Sequence, residues 1–96
     1  MFIGGEGMWR EHFEKKVLLL GEAYWGEERI TNHCIGFGQI TATVCGSKNY
    51  EVKAGIWHGR LVQLQCSCPY TWRNRKCKHM AALLFQLENW GFLNDR

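Results

Sequence analysis

Trp9, Phe13, Val17, Leu20 and Tyr24 recur at steps of four, four, three and four, and Glu11, Glu14, Lys15 and Glu22 fall between them. Apolar residues at that spacing line one side of a 3.6-residue helix, so the pattern predicts a helix over residues 8–25 with one stripe turned to a core. Gly21 and Gly26 weaken its last turn. From Gln39 the period changes to two. Ile40, Ala42 and Val44 alternate with Thr41, Thr43 and Cys45, residues 45–49 have turn composition, and Tyr50, Val52, Ala54 and Ile56 alternate again. Trp57-His58-Gly59-Arg60 supplies a second tight connection, after which Val62, Leu64 and Cys66 share one face of a further strand. Residues 39–66 therefore read as a three-stranded antiparallel meander. A short strand over about residues 30–35 can pair with it, although Gly36 and Gly38 interrupt the pattern. Met80, Leu84, Leu87 and Trp90 mark a second helix, which Gly91 stops.

Composition narrows the class. Ninety-six residues enclose one small core, so residues 1–96 read as a single α+β domain, and the 46% apolar against 22% charged content is globular. The longest unbroken apolar run, Met80 to Phe85, is far too short to span a bilayer. The opening Met1-Phe2-Ile3-Gly4-Gly5-Glu6-Gly7 lacks the parts of a secretory signal and should be flexible, so a cytoplasmic location, or the nucleus of a eukaryote, is expected, with no membrane partner. The net charge of +3 hides an asymmetry: residues 1–28 carry six Glu against three cations, whereas residues 29–96 carry nine cations against three acids. A basic region of this size permits an anionic partner.

Five cysteines cannot all pair, and a reducing compartment disfavours disulfides. Their spacing carries the chemistry. Residues 66–79 read Cys-Ser-Cys-Pro-Tyr-Thr-Trp-Arg-Asn-Arg-Lys-Cys-Lys-His, a CxC followed by CxH. On a strand, residues two apart share a face, so Cys66 and Cys68 can present both sulfurs to one ion before Pro69 ends the strand. On a helix, residues two apart diverge, so Cys77 must precede the second helix and His79 must lie in its first turn. Backbone N–H groups at a helix start favour thiolate there. Three thiolates and one imidazole fill the four tetrahedral positions of structural zinc and leave none open for a catalytic water. Soft sulfur donors exclude Ca²⁺ and Mg²⁺, and an iron–sulfur cluster would want a fourth nearby cysteine.

Cys66-Ser67-Cys68-Pro69-Tyr70 and Cys77-Lys78-His79-Met80-Ala81-Ala82-Leu83-Leu84 resemble the SWIM-type zinc finger, in which CxC, a variable gap and CxH run into an Ala/Leu-rich helix. The upstream Gln39 to Val44, Gly46-Ser47 and Tyr50-Glu51-Val52 are similar to the strands before that finger, so the resemblance covers about residues 38–88. It implies one structural zinc and no enzymatic activity of the module itself. The implied partners are DNA, RNA or protein, since such fingers accompany helicases, transposases, ubiquitin ligases and recombination factors.

The loop between the ligand pairs offers Trp72, Arg73, Arg75 and Lys76, with Lys78 beyond Cys77 and no acid. Those residues suit phosphate contacts and base stacking, and they equally suit offsetting the charge of a thiolate-rich zinc site. His12, His33 and His58 read as surface residues, and Cys34 and Cys45 as small buried hydrophobes rather than nucleophiles. Two functions follow: a weak, sequence-tolerant nucleic-acid-binding module, or a protein-interaction adaptor with purely structural zinc.

Overall fold

The computed structural model describes residues 9–69 and 76–93. A 3₁₀ turn, Trp9–His12, leads into α1, Lys15–Gly26. Four strands follow: β1, Ile30–Gly36; β2, Gln39–Cys45; β3, Asn49–Trp57; and β4, Arg60–Cys66. The last element is α2, Lys78–Asn89. The strands form one antiparallel sheet in sequence order. α2 packs on β2, β3 and β4, and α1 packs on α2.

Alternation places Ile40, Ala42 and Val44 of β2 on the inner face, where they meet Ala54, Val52 and Tyr50 of β3. The same register puts Leu64 beside Ala54 and Cys66 beside Val52, so the last strand delivers a cysteine to the side facing α2. Val44, Val52 and Leu64 are fully buried there, against Leu83, Leu84 and Leu87 of α2 in one core cluster. Full burial of each such side chain contributes about 1.5–3 kcal/mol. Every residue from Met80 to Phe85 is buried because α2 lies between the sheet and α1. That accounts for the unbroken apolar run in the sequence.

The helix expected over residues 8–25 is broken. Glu14 is extended at φ −66° and ψ 147° before α1 begins. The preceding turn is held by tertiary contacts instead. The Trp9 indole N–H donates to Glu88 at 3.1 Å, and the Arg10 guanidinium donates to both Glu88 carboxylate oxygens at 2.7 and 2.6 Å. Trp9 is buried edge-on against Phe13 and Phe85, with centroids 5.7 and 5.0 Å away.

The expected stripe holds across the break through Trp9, Phe13 and Val17, but from there the buried face runs to Gly21, and Leu20 is 49% exposed. Gly21 is where the helices press together, since a Cβ built on it would lie 2.4 Å from the Ala81 Cβ. α1 closes with a Schellman arrangement: the amide of Arg29 reaches the Tyr24 carbonyl and that of Glu28 the Trp25 carbonyl, with Glu28 at φ 57°. Gly91, at φ 84°, closes α2 in the same way as anticipated, with Phe92 bonded to Leu87 and Gly91 to Glu88.

The meander matches the reading of residues 39–66, and β1 adds the fourth strand. One face differs. Gly55 pairs with Gln63 but Ile56 pairs with Leu61, so Val62 is the extra residue of a bulge. Leu61 is therefore buried and Val62 is not. Cys34, expected inside, is exposed on the edge strand β1, and Cys45 is half-buried. His12, His33 and His58 are exposed as expected. Residues 1–7, expected to be flexible, lie outside the described residues. Among the described residues, no helix is long and apolar enough to cross a membrane.

Candidate metal centre

Cys66 ends β4 on the inner face, and Cys68 follows two residues later. Cys77 caps the start of α2 in extended conformation, and His79 lies in the first turn. The CxH sits at the helix start as the spacing requires, but β4 stops at Cys66, so Cys68 lies beyond the strand rather than on it with Cys66 up to Pro69 as expected. The four ligand atoms lie within 4.8 Å of one another. Cys68, Cys77 and His79 are buried, whereas Cys66 is half-buried. Cys66 Sγ is 3.9 Å from His79 Nδ1. In a tetrahedral zinc site with bonds of about 2.3 Å to sulfur and about 2.0–2.1 Å to nitrogen, that separation is about 3.6 Å. The Cys66–His79 pair thus stands near the spacing that a shared zinc ion requires.

The electrostatics also fit a cation. Without one, a hydrogen bond with Cys66, followed by burial, pushes the Cys77 thiol up to about 12, and His79 opposes the rise only in part. The neighbouring Cys66 thiol and burial thus favour the neutral Cys77 thiol. A divalent cation among the sulfurs reverses that preference, because thiolate is the form that binds metal. Cys66, Cys68, Cys77 and His79 are the residues that would hold one zinc ion, whose contribution is to tie β4 to α2.

The imidazole is fixed by two rings that the sequence reading did not connect with the site. Tyr50 lies 4.8 Å from His79 between centroids, and Tyr24 meets it edge-on at 5.8 Å. Tyr50 belongs to the inner-face alternation of β3, so the pairing of β2 with β3 held the signal; Tyr24 reaches the site only because α1 crosses α2. Lys78 Nζ stands 5.0 Å above the Tyr24 ring and Arg29 4.8 Å from it, both at cation–π distance. Of the residues expected to touch nucleic acid, Lys76 and Lys78 flank Cys77 and are half-buried, while Trp72, Arg73 and Arg75 lie outside the described residues.

Residues 47–88 match the family model of the SWIM zinc finger. The matched span begins after β2, and so is shorter than the region of resemblance read from the sequence. No curated protein and no solved structure matches the chain. With a matching family model and four donors gathered on one point, residues 47–88 of this chain are a SWIM zinc finger.

Proposed function

We propose that this zinc finger is a nucleic-acid-binding module, weak and tolerant of sequence. One observation carries the reading: residues 52–87 contain Lys53, Arg60, Arg73, Arg75, Lys76 and Lys78 and no Asp or Glu. Lys76 and Lys78 bracket the buried ligand Cys77, so cations stand at the rim of the metal centre. Cations beyond those that offset one negative charge of a three-thiolate zinc site remain for phosphates.

The test is binding of zinc-loaded protein to DNA and RNA across a salt series. Three or four phosphate contacts give a slope of log K on log salt of about −3 on duplex. Replacing Arg73, Arg75 and Lys76 with Gln flattens the slope and weakens binding to all sequences alike. Absence of salt-sensitive binding refutes the reading. An adaptor role is the second reading, favoured by Phe37 and Trp57, whose side chains stand almost wholly and two-thirds exposed at turns on the sheet end away from Cys66. Substituting both with Ser would then abolish capture of a protein partner while leaving zinc content unchanged.

A further inference from the structure

Beside the metal centre, α1, the β2–β3 turn and the start of α2 enclose a cleft of about 460 Å³. Cys68, Cys77 and His79 form its back and Tyr24 and Tyr50 its aromatic sides, with Lys16, Leu20 and Lys78 among the other residues that line it. No carboxylate lines it among the described residues. Lys16 pairs with Glu14 at 3.7 Å, but both side chains are largely exposed, and such a pair yields readily to a stronger anion. The exposure of Leu20, anomalous for a helix stripe, places an apolar side chain at this opening.

We infer that the cleft takes one unpaired nucleotide of a single-stranded nucleic acid, an inference that rests on the nucleic-acid reading proposed above. The volume lies in the range of small-ligand pockets. A duplex presents a closed convex surface and cannot enter it, whereas an unstacked base can. Zinc with three thiolates carries a net negative charge, so the back of the cleft repels phosphate and accepts a neutral base against Tyr50 and Leu20. The flanking phosphates then turn outward to Lys16 and Lys78. This orientation follows from charge alone and uses α1, which lies outside the matched finger.

Leu19 and Leu20 give a controlled test, because both are exposed on α1 and only Leu20 lines the cleft. Leu20→Glu and Leu19→Glu add the same charge one residue apart, and neither disturbs buried packing. Zinc-loaded wild type and both variants are titrated at low salt against labelled oligothymidine and a hairpin duplex, with anisotropy as readout. Leu20→Glu should weaken oligothymidine binding by about tenfold and Leu19→Glu by no more than about twofold, with duplex binding little affected by either. Equal effects of the two substitutions, or no preference of the wild type for the single strand, overturn the cleft assignment. If the Arg73, Arg75 and Lys76 replacements abolish binding while Leu20→Glu does not, the nucleic-acid reading stands and the cleft assignment falls. If no oligonucleotide binds the wild type, both fall.

Discussion

Gly21→Ala adds a single methyl group at the α1–α2 crossing and should destabilise the domain by about 2 kcal/mol. The added Cβ would lie 2.4 Å from the Ala81 Cβ and 3.0 Å from both the Ala82 amide nitrogen and the Lys78 carbonyl oxygen. Carbon atoms pack at about 3.5–4.0 Å, so the helices must part by roughly 1 Å or more. None of the three atoms belongs to a flexible side-chain end that could swing aside. Overpacking of this kind costs about 1–3 kcal/mol, here at the upper end, and the better helix propensity of Ala returns about 1.

In a domain of this size each kcal/mol moves the Tm by about 4–8 °C, so the midpoint should fall by roughly 8–16 °C in a zinc-saturated thermal melt. Gly26→Ala is the internal control. Nothing lies within 4 Å of its added Cβ, and the substitution should raise stability by about 0.4–1 kcal/mol. Because Lys78 lies between two zinc ligands, Gly21→Ala should also weaken zinc retention. A Gly21→Ala protein as stable as wild type would refute the close approach of the two helices.

Two other consequences are open to measurement. The Arg10 guanidinium, with help from the Trp9 indole, holds the Glu88 carboxyl below its ordinary value. A lowered folded-state value means that this stabilisation is full above the usual carboxylate range near pH 4.3 and is lost as pH falls through the lowered value. Arg10→Ala should therefore cost about 1 kcal/mol at pH 7, since solvent reaches both groups, and should cost progressively less in acid melts. Chelation should release β4 from α2 and expose Cys66, Cys68 and Cys77 to alkylation. With metal retained, Cys34 should react first, being the exposed thiol, as mass spectrometry of labelled peptides would show.

The metal site was legible from local sequence because its two ligand pairs sit where local rules act, one at the end of a strand and one at the start of a helix. The meander was legible for the same reason, through its alternation. What escaped depended on tertiary contact. The hydrogen bonds from Trp9 and Arg10 to Glu88 span most of the chain, and they stabilise a 3₁₀ turn where the apolar period alone suggests a continuing helix. Gly21 carries no hydrophobic signal, yet its lack of a side chain decides which face of α1 meets α2, and so turns Leu20 outward. The bulge at Val62 changes which residue of β4 is buried without any mark in the alternation upstream. Tyr24 and Tyr50 become neighbours of His79 only once both α1 and the sheet are in place.

One zinc ion is held by Cys66, Cys68, Cys77 and His79. X-ray absorption at the zinc edge, combined with elemental analysis of the purified chain, tests this assignment most directly. One equivalent of zinc is expected, with three sulfur neighbours at about 2.3 Å and one nitrogen at about 2.0–2.1 Å, changing to two sulfurs in Cys68→Ser and to no histidine signal in His79→Ala. Iron in place of zinc, an oxygen from water in the wild-type shell, or an unchanged shell in either variant would contradict it.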